Sequence, residues 1–167
     1  MLEAERAQAR DVFLEKIKSI PFLSKFEEED LQGILQYSAV RQYETGEFII
    51  DENYFDNSIY FLISGSVRIT KQGKELRILR RRGEIFGEMS AIDGSSRSAS
   101  AYAIGDTMCL VTNMTHVKSF SEKDSLVFYS LLYKTFAEAL AERLRGTSEE
   151  LVNARAEIER LKQALGE

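Results

Sequence analysis

The 167 residues carry 22 Lys and Arg against 27 Asp and Glu, a formal net charge of −5, and 44% of the positions are apolar. A chain of this length buries one sizeable core, and its acidic balance excludes a whole-surface attraction to nucleic acid or anionic lipid, so any anion site has to be local. A single cysteine allows no disulfide within the chain, and no apolar run approaches the roughly 18 residues of a membrane span, so the expectation is a soluble, cytoplasmic protein that binds neither DNA nor membrane.

The opening residues are charged and helix-favouring, and Val12, Phe13, Ile17 and Ile20 recur at helical spacing until Pro21 interrupts them. A second short helix is predicted from near Glu28, carrying Leu31, Ile34 and Leu35. From Ala39 to about Asn113 the pattern changes to short β-type runs: VRQY, EFII, SIYFLI, SVRIT, LRIL, EIF, SASAYA and TMCLVT. Turn signals at Gly46, Gly65, Gly73, Gly83, Gly94 and Gly105 separate them, which predicts a small barrel or sandwich, mainly β with flanking helices. Cys109 falls in one of these runs and reads as a small buried hydrophobe.

After Asn113 helix returns, briefly near Thr115 to Phe120 and then in a long segment from around Ser125. In that segment Leu144, Leu151, Ile158 and Leu165 recur every seven residues, and Leu140, Thr147, Ala154 and Leu161 form a second series offset by three, as an a/d seam requires. The flanking charges agree with a parallel homodimer: Glu150 would meet Arg155 and Glu157 would meet Lys162 of the partner helix. Thr147 at a d position and Gly146 beside it weaken the seam, Gly by about 1 kcal/mol in a helix interior.

The stretch GEIFGEMSAIDGSSRSASAYA, Gly83 to Ala103, holds the chemistry. Gly87 lets backbone approach a ligand, the amides of a short helical turn through Met89 to Ile92 attract an anion, and Arg97 can grip a phosphate through forked hydrogen bonds. Glu88 would repel an anion, and its natural role is to accept hydrogen bonds from sugar hydroxyls. Phosphate plus sugar hydroxyl is what a nucleotide presents. The residues alone leave a second reading open, in which Glu88 and Arg97 only pair with each other across a turn.

With the entry strand at Gly46-Glu47, YFLISGSVRIT and GKELRILRRRGE, this stretch resembles the phosphate-binding cassette of the cyclic-nucleotide-binding domain family, over about Phe22 to Leu151. The resemblance implies a jelly-roll barrel in which Glu88 binds the ribose 2′-hydroxyl, Gly87 offers backbone, and Arg97 pairs with the cyclic phosphate, assisted by Ser98. The implied site comprises Gly87, Glu88, Met89, Ser90, Arg97, Ser98 and Ala99, joined from the long helix by Thr147 and Ser148 as base contacts, Ser148 reaching the partner's nucleotide; the heptad register, which sets Arg143 at a g position facing Ser148 of the partner, adds Arg143 as a further candidate to approach the ligand. Ser96 stands where many members have proline, and Ser90-Ala91 where they have Ala-Leu. Members tuned to cyclic GMP often carry threonine at the position of Ser98, so cyclic AMP is the first choice of ligand and cyclic GMP the second.

The expected organisation is N-terminal helices over 1–36, a nucleotide-binding barrel over 37–124, and a lid and coiled-coil helix over 125–167. No cofactor is expected beyond the ligand, and no enzyme: the sole histidine, His116, has no metal-ligand or catalytic set at suitable spacing. Arg80, Arg81 and Arg82 read as a solvated run. No helix-turn-helix follows the coiled coil before Glu167, which predicts a sensor without a DNA-binding domain, acting on an unidentified effector protein. The rival reading is a ligand-free coiled-coil scaffold that keeps the fold.

Overall fold

The computed structural model describes residues 14–117 and 122–166. The helical positions expected at Val12 and Phe13, and the end of the brief helix at 118–120, lie outside the described residues. The elements in chain order are α1 (14–18), a 3-10 turn at Leu23–Lys25, α2 (Glu28–Gln36), β1 (Ser38–Tyr43), β2 (Phe48–Ile50), β3 (Ser58–Lys71), β4 (Lys74–Leu79), β5 (Ile85–Phe86), α3 (Glu88–Asp93), β6 (Ser100–Asn113), α4 (Met114–Val117) and α5 (Glu122–Leu165). The chain falls into two compact units that divide between Tyr129 and Ser130, within α5.

In the first unit every strand pairing is antiparallel, in the order β1-β6-β3-β4, with β2 also on β6 and β5 also on β3. This is the mainly β, jelly-roll-like architecture expected from the sequence. Its strands are longer than the glycine spacing suggested: SIYFLI and SVRIT form one strand, β3, and SASAYA and TMCLVT form another, β6. Glycine marks a bulge as readily as a turn. At Gly65 the register with β6 shifts, φ is +87°, and a Cβ would stand 2.5 Å from the Asp106 carbonyl oxygen and 2.6 Å from the Thr107 Cα. Only glycine fits that corner, and the pair bends there without separating.

Side chains alternate across β3. Tyr60, Leu62 and Val67 join Ile49, Ile50, Phe86, Ala101 and Ala103 in the barrel interior, together with Cys109, whose burial pushes its thiol up to about 12. Ile59, Phe61 and Ile63 are buried on the other face, where Phe61 stacks on Phe22 with ring centroids 5.3 Å apart and Phe22 meets Phe26 edge-on. Burial of a phenylalanine contributes about 1.5–3 kcal/mol, so this row anchors the N-terminal segment. Arg82 adds a polar tie: its Nε donates to the Ile63 carbonyl at 3.0 Å and its Nη1 to Ser19 Oγ at 3.2 Å. The basic run is exposed as expected, but Arg82 holds the segment that precedes Pro21.

The second unit is the rest of α5, a helix of 44 residues in all. Leu144, Leu151, Ile158, Leu161 and Leu165 are exposed along it. Glu157 and Arg160 form an ion pair at 2.8 Å one turn apart. Among the described residues no helix is long and apolar enough to cross a membrane, and no cluster of side chains is arranged to hold a metal ion.

Candidate ligand-binding site

Phe86 ends β5 inside the barrel, and Gly87 then turns the chain into α3 with φ +77°. A Cβ at Gly87 would come within 2.8 Å of Arg97 Nη1 and 3.1 Å of both Ile50 and Tyr60, so glycine is required there by conformation and by space. That close approach brings the Gly87 carbonyl to the guanidinium. It is followed by Glu88, 1% exposed, and by Ser90, also buried, while Met89 lies outward with its sulfur accepting from Ser98 Oγ at 3.4 Å.

Arg97 is buried, and its hydrogen bonds can be counted donor by donor. Nη1 donates to the Gly87 carbonyl at 2.7 Å and to Ser90 Oγ at 2.8 Å; Nη2 donates to Asp56 Oδ1 at 2.5 Å and to the Ser58 carbonyl at 2.8 Å. A guanidinium has five N–H groups. The fifth, on Nε, is buried and has no partner. The guanidinium carbon also sits 5.7 Å from the centre of the Tyr60 ring, where the cation meets a π face. A buried donor left unpaired costs about 1–3 kcal/mol, so this group favours an incoming acceptor.

Arg97 pairs with Asp56 and not with Glu88, so the simple turn pair considered from the sequence is absent. Asp56 Oδ1 also accepts the Ser58 amide at 2.6 Å, which fixes the carboxylate at the start of β3. Burial works to raise the Asp56 pKa, but the hydrogen bonds from Arg97 and the Ser58 amide, and the Arg97 charge, outweigh it and hold the carboxyl below the usual carboxylate range. The Tyr60 hydroxyl is pushed up to about 12, mainly by burial, and stays neutral.

The structure therefore brings together Gly87, Glu88, Ser90 and Arg97, with Met89, Ser98 and Ala99 on the same cassette. Arg143, Thr147 and Ser148 lie on α5 in the second unit, Thr147 and Ser148 exposed and Arg143 half-buried. Sequence reasoning missed Asp56, Ser58 and Tyr60. Asp56 stands 41 residues from Arg97, and its only local mark is an Asp two residues before a strand-opening serine. A separate open cavity of about 690 Å³, lined by Tyr43, Glu47, Ser64 and Thr107 among others, shares no residue with the cassette.

Comparison with known proteins bears on this arrangement. The profile of the family described as "Cyclic nucleotide-binding domain" matches residues 40–124, just over half of the chain. The chain is 33% identical over 139 residues to the cyclic AMP receptor protein of Thermus thermophilus, covering 81% of this chain and 62% of that protein. It is 31% identical over 112 residues to the human cGMP-dependent protein kinase 2, covering 63% of this chain and 15% of the kinase. The crystal structure of the Thermus thermophilus catabolite activator protein superposes with a TM-score of 0.58 at 32% identity, over 78% of this chain and 61% of that one. This chain thus spans less than two thirds of those relatives.

Proposed function

Because the chain belongs to the cyclic nucleotide-binding domain family, we propose that it is a sensor of a cyclic nucleotide monophosphate, cyclic AMP in first place and cyclic GMP in second. The observation that carries the reading is the buried Arg97, held by four acceptors from two segments with one N–H left over. In this proposal the phosphate takes that N–H, and Ser98 adds its hydroxyl. Gly87 keeps the backbone close, with Met89, Ser90 and Ala99 lining the cassette. The buried Glu88 carboxylate accepts the ribose 2′-hydroxyl, an interaction that a buried acceptor makes at short range and with little competition from water.

In the same proposal Thr147 and Ser148 of α5 contact the base, Arg143 approaches the ligand, and the exposed heptad stripe forms a parallel homodimer. Ligand then acts by binding one position of that helix better than another, since only differential contacts shift an equilibrium. The proposed division is N-terminal helices over 1–36, barrel over 37–124, and lid and dimer helix over 125–167. The module is non-enzymatic and cytoplasmic, needs no cofactor, and acts on an effector protein.

Calorimetric titration of cyclic AMP and cyclic GMP into the wild type and into Arg97→Ala tests this. The expected result is binding to the wild type with cyclic AMP tighter, weakened 100-fold or more in the variant, in the range of a buried charge-assisted pair (~3 kcal/mol). No heat and no thermal stabilisation by either nucleotide would leave the coiled-coil scaffold as the better account.

A further inference from the structure

We infer that Ser90 is a positioning residue for Arg97: its buried hydroxyl holds the guanidinium in place at the end of a loop that is otherwise tied only to α3. This rests on the cyclic-nucleotide reading above and deepens it. Arg97 follows Gly94, Ser95 and Ser96, three exposed residues outside any helix or strand. Among the described residues their hydrogen bonds reach only α3 and one another. The Gly94 amide donates to the Ser90 carbonyl at 3.0 Å, the Ser95 amide to Asp93 Oδ1 at 2.9 Å, and Ser95 Oγ to the Ser96 carbonyl at 3.3 Å. Ser90 therefore grips this loop at both ends, by its carbonyl at Gly94 and by its hydroxyl at Arg97.

At the arginine end the contact is a closed triangle. Nη1 donates to Ser90 Oγ at 2.8 Å and to the Gly87 carbonyl at 2.7 Å, and the hydroxyl donates to that same carbonyl at 3.3 Å, which turns its lone pairs toward Nη1. Ser90 is 2% exposed, so bulk water cannot replace its hydroxyl. Each Nη thus holds two acceptors of a different segment, Nη1 those of 87–90 and Nη2 those of 56–58, and together they fix the direction of the Nε–H. Without the hydroxyl, Nη1 keeps one acceptor and the guanidinium can pivot about Nη2. Many members of the family have alanine at the position of Ser90 and proline at that of Ser96. Proline fixes φ and narrows the freedom of the chain before the arginine. This chain lacks that restraint on the backbone and has in its place an acceptor for the side chain.

Order parameters of the Arg97 Nε–H, from nitrogen relaxation without nucleotide, would be measured beside calorimetric titration of cyclic AMP in wild type, in Ser90→Ala, and in Ser90→Ala combined with Ser96→Pro. Among the described residues the Ser96 amide donates to none, so proline there removes no hydrogen bond. Expected are an order parameter of about 0.85 in the wild type, as in rigid backbone, a fall below about 0.6 in Ser90→Ala, and recovery of about half the difference in the double variant. Cyclic AMP affinity should fall by about tenfold in Ser90→Ala, as a preorganising hydrogen bond is lost, and return to within about threefold of wild type in the double variant. An order parameter unchanged by Ser90→Ala, whether or not affinity falls, or a double variant as mobile as the single one, would overturn the positioning role and leave the sensor reading intact. Absence of cyclic AMP binding in the wild type would remove the sensor reading alone, since the hold on Arg97 is read without nucleotide.

Discussion

Arg97 is buried and donates four hydrogen bonds to two segments, 56–58 and 87–90, whereas Leu144, Leu151, Ile158 and Leu165 stand exposed along α5. The cassette is held by contacts between residues far apart in sequence, and among its described residues Arg97 Nε is the one buried side-chain nitrogen or oxygen without a partner. From Leu144 onward the helix repeats a local pattern and leaves its apolar side chains exposed, whereas Leu132 and Phe136 nearer its start are buried. A helix draws most of its stability from packing its apolar face, and each buried leucine contributes about 1.5–3 kcal/mol. Each half is open in its own way: Arg97 Nε has no acceptor, and the apolar stripe of α5 from Leu144 on is exposed.

The largest break in that comparison comes from charging the helix stripe. Leu151→Asp combined with Ile158→Asp puts carboxylates at two a positions, each costing roughly 3 kcal/mol or more in a packed seam. Sedimentation should show a dimer for the wild type and a monomer for the variant, with the barrel still folded by its β-type circular dichroism. A variant that remains dimeric places the interface elsewhere than the heptad register.

A smaller and more local break comes from Gly87→Ala. The added methyl meets Arg97 Nη1 at 2.8 Å and imposes a side chain on a residue at φ +77°, a backbone penalty of about 1–2 kcal/mol. Thermal melting should fall by about 3–6 °C, and cyclic AMP affinity should fall by about tenfold, as the guanidinium is pushed off its four acceptors. Unchanged affinity at a lowered Tm would mean that the position of Arg97 matters less to binding than its presence.

The same contrast explains what could be read from the chain alone. The helical repeat of α5 is a spacing rule confined to neighbours, so the helix, its apolar stripe and its charged flanks were legible. The cassette was visible too, because Gly87, Glu88 and Arg97 lie within eleven residues. Strand continuity was not, because Gly65 and Gly105 signal a bend within a strand in the same way that they signal its end. Asp56 could not be found by any local pattern, since only the folding of β3 beside α3 brings it to Arg97. The role of Arg82 was hidden for the same reason: its partners, Ser19 and the Ile63 carbonyl, come from distant segments.

If the pocket is a nucleotide sensor, the unpartnered N–H of Arg97 receives the phosphate. Arginine Nε–H groups give resolved signals in a proton–nitrogen correlation spectrum, and the Arg97 signal can be assigned by its loss in Arg97→Lys. Addition of cyclic AMP to the wild type should move that proton strongly downfield, as a donor without an acceptor gains a phosphate oxygen, while the other arginine signals of the barrel shift little. A saturating titration that leaves the Arg97 Nε–H where it was would contradict the account.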